Sequence, residues 1–397
     1  MSLLERVVHT DPKHKRVWNE LGFAYSMQGK LDKAAKSFRK QIELDPCNER
    51  THLLLGVTLT QQQKYEEAAE ALRKQIELNP LDTQARAVLG TVYLEQHKYS
   101  QAVPELEKAV ALAPNESALH VSLGQAYLNL GQNDQALGEF DKAVELDPSP
   151  PVWNNVAYQL SLRNVHHDRA QQYAESAVAA TAARLRNVAL DRLTANDLRN
   201  VSGLAAYRDT LGWVHFQKGD LAGVEKYIRA AWMLDQHGEV GDHLGQIFEK
   251  TGRLKDAQRT YAQALAGTRP PGETRARLVR LLGGQKDVPA LVRYAGEQLS
   301  EMRTVKLGKL LKESASAEFF VLLGPAPDGA RAEDVKFLSG SEKLRPLAPT
   351  LRSAHYPAVF PDDTPTKLVR RGLLSCSAST RECNFVLLLP ERVTSIN

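Results

Sequence analysis

Apolar residues over the first two-thirds of the chain recur at three- and four-residue steps, and the stretches that carry them come in pairs. One pair runs through Trp18, Leu21, Gly22 and Tyr25, then Ala34 and Phe38, and stops at Pro46. The frame repeats as Leu55-Gly56, Ala68, Leu72 and Pro80, and again as Leu89-Gly90, Tyr93, Ala102, Leu106 and Pro114. A further unit carries Leu123-Gly124, Tyr127, Ala136, Phe140 and Pro148. Together with Pro12, these prolines stand 34 residues apart at every step. A fixed period of that length predicts stacked two-helix units, each burying its apolar face on the next. Glycine and the small alanines mark where helix A and helix B approach closely, and leucines and aromatics fill the seam. Proline cannot continue the B helix, so it ends it.

Beyond Pro148 the frame loosens. Trp153, Val156-Ala157, Ala170 and Ala177 form a fifth unit with an extra residue in its turn, near His166-His167. Leu211-Gly212, Gly219, Ile228 and Ala231 form a sixth, and Leu244-Gly245, Phe248, Gly252, Ala257, Tyr261 and Ala264 a seventh. Between the fifth and sixth, residues 181–206 read as an extended B helix plus an extra helix, with Leu185, Leu190, Leu193 and Leu198 at helical spacing. Leu3, Leu4, Val7 and Val8 before Asp11-Pro12 read as the second half of a B helix without its A helix, so residues 1–12 are expected to be a partial repeat. That half-unit points to a longer parent protein, the alternative being a short capping helix, and its exposed face favours self-association.

After Gly267 the helical frame fades. Residues 273–282 and 288–301 read as a helical cap within 267–302, and 303–397 alternate as a small domain. Val305 and Leu307 are expected to form a hairpin with the run Phe319–Leu323, through the polar Lys312–Ser314. Val335–Leu338 is a third strand and Ser341–Ala354 a helix shortened by Pro346 and Pro349. Leu368–Cys376 and Asn384–Leu389 complete the sheet.

The series Trp18-x2-Leu21-Gly22-x2-Tyr25, Ala34-x3-Phe38, Pro46 resembles the tetratricopeptide repeat, and the resemblance covers residues 13–266. It implies a mainly α chain: a right-handed α-solenoid of about seven repeats, followed by a small α+β domain with an antiparallel sheet. Val335–Leu338, Ser339-Gly340, Leu344, Leu351 and Tyr356-Pro357 resemble the terminal domain of TonB-type energy transducers. Thr304–Leu311 and Phe360–Lys367 resemble the C-terminal portion of large bacterial envelope proteins that join a transglutaminase-like region to such repeats. The transglutaminase Cys-His-Asp set is missing, so that likeness implies no catalysis.

Composition changes this picture little. An apolar fraction of 43% and 25% charge describe a folded protein, and a net charge of +4 over 397 residues gives no case for nucleic acid. No apolar run is long enough to cross a membrane, and the first residues lack signal-peptide character. The compartment stays open: the envelope or periplasm if the chain is part of a longer protein, the cytoplasm otherwise. Cys47 follows a repeat-end proline, while Cys376 and Cys383 flank a polar loop and are read either as a disulfide or as two thiols.

The motifs sought for catalysis, metal binding or phosphate binding are missing, so no cofactor is expected. His237 and His243, and His166-His167-Asp168, are read as turn and seam residues. Arg275, Arg277 and Arg280, like Lys367, Arg370 and Arg371, are read as solvated faces. The remaining candidate is the concave groove along the A helices. Its inward positions hold Arg16, Asn19, Phe23 and Met27 in the first full unit, then Leu53, Val57 and Gln61. Later units contribute Thr91; Val121, Gln125, Leu128 and Asn129; Asn154 and Tyr158; and Asp209, Trp213 and Phe216. The positions of the terminal-carboxylate clamp known in this family hold Asn19, Phe23, Leu54 and Gln84, so that clamp is absent. Phe23, Tyr158 and Trp213 are expected to touch a partner, and Leu53, Val121 and Leu128 to pack neighbouring helices. The expectation is a non-enzymatic scaffold that binds a protein or peptide. The alternative is a non-catalytic arm that positions the catalytic domain of a larger transglutaminase-like envelope enzyme.

Overall fold

The computed structural model describes residues 3–14, 16–48, 50–284, 287–327, 329–361 and 366–390. The chain divides into two compact units, Met1–Pro148 and Ser149–Asn397.

In the first unit α1 (Leu3–Thr10) precedes four A/B pairs. These are α2 (Val17–Met27) with α3 (Leu31–Leu44) and α4 (Thr51–Gln61) with α5 (Tyr65–Leu78), followed by α6 (Thr83–Glu95) with α7 (Tyr99–Leu112) and α8 (Ser117–Asn129) with α9 (Asn133–Leu146). The seam of each pair is closed by the A-helix glycine. A methyl group on Gly22, Gly56 or Gly124 would lie 2.6 Å from Phe38, Leu72 or Phe140, and one on Gly90 2.5 Å from Leu106. No side chain fits there without moving the helices apart.

The prolines do more than stop helices. Trp18 Nε1 donates to the Pro12 carbonyl at 2.8 Å, and Arg86 Nε donates to that of Pro80 at 3.0 Å. His52 Nε2 and His120 Nε2 reach the carbonyls of Pro46 and Pro114 at 3.1 and 2.9 Å. The same position of each A helix therefore ties down the preceding turn, satisfying a carbonyl at the end of the B helix. Tyr25 donates to Glu5 and Tyr127 to Glu107, both at 2.6 Å, so α1 stands on α2 as α7 stands on α8. Each A helix also packs on the next, α2 on α4, α4 on α6 and α6 on α8.

The second unit begins with α10 (Pro150–Leu162) and α11 (His167–Leu185), then a 3₁₀ turn Leu190–Arg192. The extra helix and the A helix of the sixth unit are one element, α12 (Ala195–Lys218), started by a Thr194–Asp197 capping box. Next come α13 (Leu221–Asp235), α14 (Gly238–Lys250), α15 (Leu254–Ala266), α16 (Thr274–Leu281) and α17 (Val288–Met302). The last two close the array: Leu278, Val288, Ala295 and Leu299 enter the same core as Leu244, Phe248 and Tyr261.

Six antiparallel strands follow: β1 (Thr304–Lys309), β2 (Ala315–Ala326), β3 (Gly329–Gly340), β4 (His355–Tyr356), β5 (Leu368–Cys376) and β6 (Glu382–Leu387), in the order β1-β6-β5-β2-β3-β4. The expected β1–β2 hairpin does not form. β1 pairs instead with β6, Thr304 opposite Val386, and a bulge at Gly308 (φ 76°) turns its end. The reason is β2, which runs between β3 and β5 and is buried on both faces, so it leaves no side open to β1. Residues 341–354 form a 3₁₀ stretch, Glu342–Leu347, and a short α18 (Ala348–Ser353). Phe319, Phe337, Phe385 and Tyr356 stack edge to face on one side of the sheet, and Tyr356 donates to Leu351 of α18 at 2.6 Å. On the other side Phe320 pairs with Lys336, whose ammonium donates to the Leu190 carbonyl at 3.0 Å. Leu198 and Val201 of α12 face Val369 and Arg371. The segment inserted between repeats thus covers the second face of the sheet. Cys376 and Cys383 stand opposite each other on β5 and β6, joined as a disulfide, while Cys47 is a free, exposed thiol.

Candidate binding groove

The inward positions differ sharply between the two units. In the first, Phe23 is 51% and Met27 75% exposed, and Arg16, Gln61 and Thr91 are exposed as well. Asn19, Val57, Gln125 and Asn129 are half-buried, whereas Leu53 and Leu128 are buried between neighbouring helices. The amides are partly engaged: Asn19 accepts from the Thr51 hydroxyl at 3.3 Å, and Asn129 donates to the Gln125 carbonyl at 2.7 Å. Two apolar side chains therefore stand open at one end of a row of amides.

In the second unit the position of Phe23 is filled from within. Trp213 is only 7% exposed; it stacks on His243 at 4.2 Å and meets Phe216 at 4.9 Å. Beside it His243 Nδ1 lies 3.0 Å from the buried Asp209 carboxylate. Burial opposes a charge on this imidazole, but Asp209, Glu239 and Asp242 outweigh it and raise the His243 pKa above its ordinary value. Tyr158 donates to Glu239 at 2.5 Å, bridging α10 to α14, and burial pushes its phenol far above the usual range. Asn154 is half-buried on the same helix. The structure thus brings Asn154, Tyr158, Asp209, Trp213 and Phe216 onto neighbouring A helices, where Trp213 and Tyr158 hold helices together. No single-position signal showed this, because the partners of both residues come from α14, far along the chain.

The other singled-out residues also find their places. His166 takes a left-handed conformation (φ 48°) in the fifth turn, and Lys218 bonds Asp168 at 2.9 Å beside it. Among the described residues no group of three or more His, Cys, Asp or Glu is placed to hold a metal. Among the described residues no helix is long and apolar enough to cross a membrane. Arg277 pairs with Asp242 at 2.7 Å and Arg280 with Glu249 at 2.5 Å. Arg370 and Arg371 are not a solvated face: Arg371 pairs with Glu318, and Arg370 is buried, donating to the Leu388 carbonyl at 3.1 Å. Burial lowers the Arg370 pKa to about 10. The inward alternation of β5 explains the error, since a short basic run says nothing of which strand face it occupies.

Comparison with known proteins bears on the repeats. Two tetratricopeptide repeat family profiles match residues 93–157 and 242–275, and a profile described as anaphase-promoting complex, cyclosome, subunit 3 matches residues 27–109. No curated protein matches the chain. Among solved structures, a MamA RS-1 double mutant is similar at 21% identity and TM-score 0.40, over 43% of this chain and 96% of its own. YrrB, described as a TPR protein with an unusual peptide-binding site, is similar at 20% identity and TM-score 0.39, over 45% of this chain and 91% of its own. MamA from Desulfovibrio magneticus RS-1 (residues 41 to the end) shows 24% identity and TM-score 0.37, over 41% and 90%. The TonB-type and transglutaminase-protein likenesses rest on sequence motifs alone, and Asp362–Pro365 of the second lie outside the described residues. Repeats of the kind matched here support a scaffold for protein–protein interaction. The chain carries tetratricopeptide repeats, with matches in both of its units.

Proposed function

We propose that the first unit binds a peptide segment of a protein partner along the inner positions of its A helices, as a non-catalytic scaffold. The observation that carries this reading is the exposure of Phe23 and Met27 beside the amide row, while the second unit buries Trp213 at the position of Phe23. Covering two such side chains contributes roughly 1.5–3 kcal/mol each, less than the ~8 kcal/mol of micromolar binding, so further contacts along the amide row supply the rest. The buried Asp209–His243 pair supports a structural role, since Trp213 lies over it.

Photo-crosslinking in the source cell tests the reading. A benzophenone amino acid placed at Phe23 should yield protein adducts that the same probe at the exposed B-helix residue Lys36 does not. Equal adducts at both positions, or none at Phe23, would overturn it.

A further inference from the structure

Where α4 and α6 begin, a recess of about 640 Å³ opens beside Leu53, lined also by Asn48, Arg50, Asn79, Leu81 and Asp82. Thr83 and Gln84 complete the lining, and three of its polar side chains accept bonds from within the chain. Asn48 Oδ1 accepts from the Thr51 hydroxyl at 2.8 Å, and Asn79 Oδ1 accepts from the Leu81 amide at 3.2 Å. Asp82 accepts from the Ala85 amide at 2.9 Å and from Gln75 Nε2 at 2.8 Å, and it keeps its negative charge. Arg50 is exposed, and among the described residues neither its guanidinium nor the Asn48 and Asn79 Nδ2 groups meet an acceptor. Arg16 holds the same repeat position one unit earlier, whereas the next two units have Gln84 and Ala118, so within the first unit this position is cationic only in the first two pairs. Leu81, 73% exposed, stands at the rim above the buried Leu53.

Among the described residues, the exposed Arg50 side chain and the two amide Nδ2 groups can donate to an anion despite the Asp82 charge in the same recess, and its leucines are complementary to an apolar neighbour of that anion. We propose that it seats an acidic side chain of the bound segment against Arg50 and the two asparagine amides, with an adjacent apolar side chain on Leu81 and Leu53. This deepens the groove reading above and rests on it. It differs from a terminal-carboxylate clamp in using turn residues, so the acidic residue lies within the partner's chain.

The test selects a phage library of random linear peptides on the full-length chain and on two variants of unchanged helicity, Arg50→Glu and the pair Phe23→Glu with Met27→Glu. The expected result is a wild-type consensus with Asp or Glu next to a large apolar residue. Synthetic peptides of that consensus should bind the Arg50→Glu chain about tenfold more weakly and lose affinity with added salt. A consensus without an acidic position, or an acidic one indifferent to Arg50→Glu, overturns the recess proposal. In that case the groove reading stands if the Phe23→Glu, Met27→Glu chain still loses the peptides. A wild-type chain that enriches no peptide overturns both.

Discussion

Single residues carry the repeat. Gly90 and Gly138 both lie inside helices of the first unit, yet their surroundings are opposite. A methyl on Gly90 meets Leu106 at 2.5 Å, whereas one on Gly138 meets nothing within 4 Å. Gly90→Ala is therefore expected to destabilise by roughly 1–3 kcal/mol through overpacking. Gly138→Ala should stabilise by roughly 0.5–1 kcal/mol, because it removes backbone freedom at no steric cost. Urea unfolding of the two variants checks both signs, and equal effects would show that the seam is looser than described. The role of the A-helix glycine was legible in the sequence, since a spacing of 34 residues repeats the same seam. The burial of Trp213 was not, because its covering ring, His243, belongs to the next A helix rather than to its own unit.

At the scale of elements, α12 and α14 are joined by a buried ionisable pair, His243 with Asp209, flanked by Glu239 and Asp242. A folded-state pKa raised above the unfolded value makes the pair stabilising below the ordinary histidine pKa of 6.5, and that contribution is lost as pH rises through the raised value. The second unit should accordingly lose thermal stability as pH rises from about 6 into the alkaline range, and Asp209→Asn should flatten the slope. Melting curves across pH for both chains decide this; parallel profiles would assign the slope to other groups. Helices of this array were readable because their apolar period is local. Strand partners were not: β1 seemed bound to β2 by proximity, yet pairs with β6. A run of alternating residues specifies a strand and its faces, while its neighbour is chosen by which edges the rest of the sheet leaves open.

For the molecule as a whole, the sheet and the later repeats of the second unit are not separable pieces. Phe320 lies on the sheet face to which Lys336 brings the Leu190 carbonyl, and α12 covers Val369. Residues 303–397 expressed alone should expose this face, bind a hydrophobic dye and aggregate, whereas 149–397 should melt cooperatively. A sharp, reversible transition from the shorter piece would sink that expectation. The pairing of β1 with β6 has a consequence for synthesis on the ribosome. Each helical pair finds its contacts as soon as it emerges, but β1, whose partner begins only at Glu382, waits through the making of every other strand. During that interval the nascent sheet has an unfilled edge, and sequestering it falls to whatever chaperone meets the emerging chain.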